Sequence, residues 1–219
     1  MRNQTMIVDL RDRPLSSTAE SNDDVQVRTA TRSDIPEIGR LYFTAYEPGL
    51  VGETVEEAIA DIEASRNGDY GEFWEEGSVV AELDGKIVGV LLTVKQVPWD
   101  QTPDGPFIIE LFVDSDVRGR GIARRLMERG LDSMASQSAK SVGLRVLADN
   151  TRAQSFYRSV GFTDWGANLE AHQITAHIDR HSPAMDCRIL SPRRSARFLE
   201  VGTDPIESAI PFALSHTVR

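Results

Sequence analysis

The residues best suited to chemistry fall in one run, Val113-Asp114-Ser115-Asp116-Val117-Arg118-Gly119-Arg120-Gly121-Ile122-Ala123. It follows a nearly continuous apolar stretch, residues 107–113, and leads into a segment with helical apolar spacing. A strand that ends, a Gly-rich turn and a helix that begins leave several backbone N–H groups without intrahelical partners. Those groups converge on one point, and the helix dipole adds partial positive charge there. An oxyanion such as a pyrophosphate fits that point. Gly119 and Gly121 carry no side chain to hold the anion off the backbone, and Arg118, Arg120 and Arg124 add charge nearby. The run is not a Walker A loop, because the Lys is missing, and Arg124 stands where a dinucleotide fingerprint has its third Gly. Taken alone, a Gly-containing turn beside a solvated Arg face is the plainer reading.

Five other residues invite a chemical reading. Glu110 is the one acid inside the stretch 107–113. A carboxylate there would have a raised pKa and could accept a proton through water, although an Arg partner or solvent fits equally well. Asn150 sits where an apolar strand gives way to a helix, the place of an N-cap worth about 1 kcal/mol. His177 and His181 are four apart, a zinc spacing on a helix. Pro183 breaks any such helix and no second ligand pair follows, so they read as loop histidines and no metal is expected. Cys187 is the single cysteine, which excludes an internal disulfide and suits a reducing compartment.

The elements that would position these groups can be read from periodicity. Residues 25–29 alternate as a strand. Ser33-Asp34-Ile35-Pro36 starts a helix whose apolar positions are Ile35, Ile38, Leu41, Tyr42 and Ala45. Thr54 and Glu57 make a capping box for a second helix. Residues 78–83 and 87–94 are strands joined by Asp84-Gly85, a strong hairpin signal. Residues 107–113 suit a strand buried on both faces. From Ile122 to Ala135 apolar pairs recur every four residues, the clearest amphipathic helix in the chain. A strand at 142–147, a helix after Asn150 that Gly161 stops, and weaker strands near 163–169 and 185–190 complete the pattern. The predicted order is β-α-α-β-β-β-α-β-α-β-β, an α/β fold with helices packed on one sheet. Residues 1–24, with Asp9, Arg11, Asp12 and Arg13 followed by a polar stretch, read as a disordered tail. Residues 25–191 form the domain, and residues 192–219 a C-terminal tail.

Charge narrows the function. The chain has 219 residues, 24 Lys+Arg and 34 Asp+Glu, for a net charge of −10. That argues against a nucleic-acid binder and against adhesion to an anionic membrane. No apolar run approaches a membrane span and no signal peptide is evident, so a cytoplasmic protein is expected. Between Asp34 and Asp84 stand 14 acids against two basic residues, Arg40 and Arg66. Between Arg118 and Arg129 the balance is five Arg against Glu128. The acidic half reads mostly as solvated helix surface, with Glu47, Glu53, Glu72 and Glu75 as candidates for drawing in a cation and Tyr70, Phe73 and Trp74 as nearby apolar walls.

Two motifs together resemble the GNAT superfamily of acyl-CoA N-acyltransferases. Arg118-Gly119-Arg120-Gly121-Ile122-Ala123 matches its loop pattern Arg/Gln-x-x-Gly-x-Gly/Ala. Asn150, Ala153, Tyr157, Gly161 and Phe162 match a downstream Asn-x-x-Ala-x-x-x-Tyr-x-x-x-Gly-Phe pattern. The resemblance spans about residues 25 to 191.

It implies a GNAT-like, mostly antiparallel sheet of six to seven strands with about four helices. It also implies transfer of an acetyl group from acetyl-CoA to a primary amine, with no covalent enzyme intermediate. The backbone of Arg118, Gly119, Arg120, Gly121, Ile122 and Ala123 would hold the CoA pyrophosphate. Leu111, Phe112 and Val113 would pair with the pantetheine arm, where the two flanking strands splay apart, and Asn150 and Ala153 would help place the cofactor. Tyr157 would protonate the leaving thiolate, as a phenol near the sulfur can; its spacing alone favours a core aromatic beside Phe156. Glu110 is the candidate general base. The acceptor would be an amine-bearing small molecule or a peptide, and the protein a monomer or homodimer. A protein N-terminal or lysine acetyltransferase and a non-catalytic CoA-binding sensor share the same motifs.

Overall fold

The computed structural model describes residues 3–11, 13, 24–46, 49, 51–100 and 102–166. They form seven strands and four helices in the order β1 (Asn3–Asp9), β2 (Val25–Thr29), α1 (Ile35–Ala45), α2 (Val55–Arg66), β3 (Val79–Leu83), β4 (Lys86–Val94), β5 (Phe107–Val113), α3 (Ile122–Ser136), β6 (Ser141–Leu147), α4 (Thr151–Ser159) and β7 (Thr163–Asp164). The strands make one sheet in the order β2-β3-β4-β5-β6-β1-β7. Every neighbouring pair is antiparallel except β5 and β6.

The sheet is buried on both sides. One apolar cluster joins α3 and α4 to it through Ile122, Leu126, Leu131, Ala153 and Tyr157, against Leu91, Leu111 and Leu144. The other joins α1 and α2 through Ile38, Tyr42, Ala58 and Ile62, against Val90, Phe107 and Phe112. Sandwiching explains why β4 and β5 read as nearly continuous apolar runs instead of alternating ones.

Local signals behave as their chemistry dictates. Asp84 and Gly85 take φ of 51° and 74° and close the β3–β4 hairpin. The Thr54 hydroxyl accepts from the Glu57 N–H at 3.2 Å, capping α2. The Glu57 carboxylate reaches back one residue further than a capping box requires and accepts from the Glu53 N–H at 2.8 Å. Gly39 lets α1 approach α2 closely, since a Cβ there would lie 2.6 Å from the Ile59 Cα.

One expectation is overturned. Residues 1–24 do not all belong to a tail, because Asn3–Asp9 forms β1 between β6 and β7. It pairs with β6 over seven registered positions, from Asn3↔Leu147 to Asp9↔Ser141. Met6, Val8 and Leu10 alternate inward and are buried, with Met6 at 0 % exposure. That period of two is short and ends in charge, Asp9 and Arg11, which pair with each other. The next residues reinforce the strand's position: the Leu10 N–H donates to the Lys140 carbonyl at 2.9 Å, and Arg13 approaches Asp132 at 3.5 Å. The strand expected at 185–190 and the tail at 192–219 lie outside the described residues.

Candidate active site

The site begins where the sheet fails to stay closed. β5 and β6 pair only at Phe107↔Gly143 and Ile108↔Leu144. Beyond Ile108 the two parallel strands part. A cavity of about 250 Å³ opens there, bounded by Leu111, Phe112 and Val113 of β5, by Val117 to Gly119 and Gly121 to Ala123 of the following loop and helix start, by Ala153 and Phe156 of α4, and by Ala45 at the end of α1.

The loop is shaped by its sequence. The Asp114 side chain accepts from the Asp116 N–H at 3.0 Å and sets up a short 3₁₀ turn over Ser115–Val117. Gly119 and Gly121 then take φ of 83° and 75°, a left-handed conformation that L side chains resist. Gly121 caps α3, whose first turn carries no acidic residue. A Cβ on either glycine would meet nothing within 4 Å. The helix start therefore faces open space with its backbone bare, as an anion cradle requires.

The three arginines of the loop do different things. Arg118 is turned inward: its guanidinium donates to the Val113 carbonyl and to the Ala45 carbonyl, each at 3.2 Å. It pins the loop to the end of β5 and to the C-terminus of α1, where a cation also suits the helix dipole. Arg124 lines the cavity and donates to the Ser159 hydroxyl at 2.8 Å. Arg120 does not line it, whereas Arg152 of α4 does.

Of the downstream motif, Asn150 caps α4, its side-chain oxygen accepting from the Ala153 N–H at 3.0 Å. Asn150 is not part of the cavity wall, but Ala153 is. Tyr157 follows Ala153 by one turn on the buried face of α4 and is 0 % exposed. Its ring packs on Phe156 and Phe162 at 5.5 and 5.9 Å between centroids. It belongs to the core behind the cavity, and its neighbour Phe156 lines the cavity itself.

Glu110 lies behind the cavity on the other side. It is 4 % exposed and accepts hydrogen bonds from Tyr46 at 2.8 Å and from Tyr42 at 3.1 Å. The Tyr42 hydroxyl also lies 3.3 Å from Asp61 of α2, and Tyr70 donates to Asp61 at 2.9 Å. Burial pushes the Glu110 carboxyl well above the ordinary carboxylate range; the Tyr46 hydrogen bond opposes this and the Asp61 charge adds to it. Glu110 thus has neither the Arg partner nor the solvent contact that its sequence context allowed.

Sequence reasoning missed Ala45, Val117, Arg152 and Phe156 in the wall and the tyrosine set around Glu110. One signal was available: the chain has four tyrosines, and three of them, Tyr42, Tyr46 and Tyr70, converge on Glu110 and Asp61. Two of the acids considered for cation attraction are balanced locally. Glu72 pairs with Lys95 and Glu75 with Arg66, while Tyr70 and Trp74 are buried. Glu47, His177, His181 and Cys187 lie outside the described residues. Among the described residues no group of three or more His, Cys, Asp or Glu could hold a metal ion, and no helix is long and apolar enough to cross a membrane.

Known proteins resemble this chain in sequence and in fold. N-alpha-acetyltransferase 30 of Schizosaccharomyces pombe is 34% identical over 89 residues, 41% of this chain and 59% of that protein. The chain thus spans well under two thirds of that relative's length. An uncharacterized N-acetyltransferase of Archaeoglobus fulgidus is 28% identical over 146 residues, 62% of this chain and 90% of that protein. The crystal structure of a GCN5-related N-acetyltransferase from Sphaerobacter thermophilus superposes with a TM-score of 0.57 at 23% identity, covering 74% of this chain and 48% of that one, which shows a common fold. The model of the acetyltransferase (GNAT) family matches residues 38–162, from α1 through the end of α4 and including the glycine loop. With more than half of its length so matched, the chain belongs to the acetyltransferase (GNAT) family.

Proposed function

We propose that this protein transfers an acetyl group from acetyl-CoA directly to a primary amine. The observation that carries the reading is the cavity at the β5–β6 splay, walled by a bare, left-handed glycine loop at the start of α3. The pyrophosphate of CoA takes the N–H groups from Arg118 to Ala123, and the pantetheine arm lies along Leu111, Phe112 and Val113. The amine nitrogen attacks the thioester carbonyl carbon, the C–S bond breaks, and the amine loses one proton to a base. The departing thiolate takes a proton from the Tyr157 hydroxyl. Glu110, next to Leu111 of the cavity wall, is the base. The buried place of Tyr157 beside Phe156, and that of Glu110 beside Leu111, support these two roles.

A second acceptor class is a polypeptide N-terminus. It is favoured by the 34% identity to N-alpha-acetyltransferase 30, a match that includes only part of that protein. One experiment separates the readings: incubate the protein with acetyl-CoA and a panel of small amines and peptides, and follow thiol release. Release with small amines supports the first reading and release with peptides alone the second. Tight acetyl-CoA binding without release from any acceptor would leave a CoA-binding sensor.

A further inference from the structure

Two carboxyl groups and three tyrosines form a hydrogen-bonded set behind the cavity wall. Tyr46 donates to Glu110 Oε2 at 2.8 Å, Tyr70 donates to Asp61 Oδ1 at 2.9 Å, and the Tyr42 hydroxyl lies 3.1 Å from Glu110 Oε1 and 3.3 Å from Asp61 Oδ2. A phenol carries one proton. It can donate to only one of two carboxylates, and its oxygen then faces the other. Both contacts are full two-centre hydrogen bonds when one carboxyl is itself protonated and donates to the Tyr42 oxygen. With one shared proton the set has two arrangements: Glu110 protonated with Tyr42 donating to Asp61, or Asp61 protonated with Tyr42 donating to Glu110.

We propose that Glu110, Tyr42 and Asp61 form a proton relay that frees Glu110 to act as the base of the transfer reaction. The relay rests on the acetyltransferase reading above. A buried Glu110 that already holds a proton cannot accept one from an alkylammonium. Shifting two protons by one hydrogen bond each moves a net proton from Glu110 to Asp61 and leaves Glu110 as carboxylate. Glu110 then takes a proton from the bound ammonium, directly or through one water, and the neutral amine attacks. Asp61, half-buried on α2, returns its proton to solvent. The sum is loss of one proton from the ammonium to solvent, with each relay group restored. Geometry supports the direction. Glu110 is deep in β5 next to Leu111 of the cavity wall, whereas Asp61 is the member nearest solvent. Gly39 allows the close α1–α2 approach that brings Tyr42 to Asp61. The groups facing Glu110 are Tyr42 and Tyr46 from α1 and Asp61 from α2, and all belong to the relay or hold its ends.

In the relay, Tyr42 and Asp61 act through Glu110 and are positioning residues. The test uses the full chain with Asp61→Asn and Tyr42→Phe, compared by thiol release across pH, by acetyl-CoA affinity, and by ¹³C-carboxyl NMR of the resting protein. Asn keeps the shape of Asp and still accepts from Tyr70, so the fold is retained. The relay predicts kcat lower by about 100-fold in either variant, in the range of a lost acid–base step, with acetyl-CoA affinity unchanged. The double variant should be no worse than the singles, because the groups act as a unit. Asp61→Glu should restore part of the rate. In the parent, Glu110 and Asp61 should titrate as a coupled pair instead of independently. Independent titration of the two carboxyls, or an unchanged kcat and pH profile in Asp61→Asn, overturns the relay alone. A parent that releases no thiol with any amine or peptide overturns the acetyltransferase reading and the relay with it.

Discussion

Ile109 and Glu110 are neighbours in β5, yet both side chains face α1 and α2. Ile109 packs in the cluster with Tyr42 and Phe112, and Glu110 bonds Tyr42 and Tyr46. Strict alternation would send them to opposite faces. The register explains the exception: Leu92 opposes Glu110 while Thr93 opposes Ile108, so Ile109 is an extra residue without a β4 partner. A bulge re-aims the acid. Glu110 is thereby held away from the α3–α4 side and enclosed among phenols.

Enclosure gives Glu110 a stability signature. Its folded-state pKa is raised by burial above the unfolded value of about 4.3. The folded chain keeps a proton that the unfolded chain has lost, so this contribution is complete below about pH 4.3 and falls away as pH rises through the folded value. Glu110→Gln is neutral at every pH. The melting temperature of the parent should therefore drop relative to that of Glu110→Gln as pH rises from about 4.3 toward the raised folded value. A gap independent of pH would show that Glu110 is not held neutral.

Gly121→Glu should cut acetyl-CoA affinity by at least about 100-fold, because it places a like charge against the pyrophosphate and fills the open space above the loop. Gly121→Ala is the comparison. Its φ of 75° makes a Cβ unfavourable by about 1 kcal/mol, a cost to stability that adds no charge to the cradle. Calorimetric titration of both variants with acetyl-CoA decides the matter. Equal binding by Gly121→Glu and the parent would remove the loop from the binding site.

Tyr157→Phe keeps the ring that packs on Phe156 and Phe162 and deletes only the hydroxyl. If that hydroxyl protonates the thiolate, kcat should fall by about 100-fold while acetyl-CoA affinity changes little. Steady-state kinetics beside direct binding measures the split. Unchanged turnover would leave Tyr157 as a core aromatic.

Met6→Ala tests whether β1 is part of the domain. Met6 is fully buried opposite Leu144, and truncating such a side chain costs about 3 kcal/mol. Urea unfolding should show a lower midpoint with an unchanged slope. A stability equal to the parent's would mean that β1 is dispensable.

The helices and most strands were legible because each buries one broad apolar face. Ile122, Leu126 and Met134 mark α3 by spacing alone, and Gly119 and Gly121 mark the loop because a tight left-handed turn at a helix start needs glycine. β1 was not legible as a strand, since its alternation of Met6, Val8 and Leu10 runs directly into Asp9 and Arg11. Glu110 stood out as an acid in an apolar strand, but its partners did not. Tyr42 and Asp61 are 68 and 49 positions away by number, and only a bulge and a close helix crossing bring all three together. Arg118 shows the opposite case. Its motif position was legible, but its inward grip on the Val113 and Ala45 carbonyls depends on where α1 ends in space.

The β5–β6 splay has a consequence for solubility. An open strand edge normally invites a second protein chain and, through it, aggregation. Here the unpaired stretch of β5 lies in the middle of a sheet instead of at its rim, and Leu111 and Phe112 are 0 % and 3 % exposed. The fold can leave this hydrogen-bonding template unpaired because β5 lies inside the sheet, between β4 and β6, where no free rim is offered to another chain.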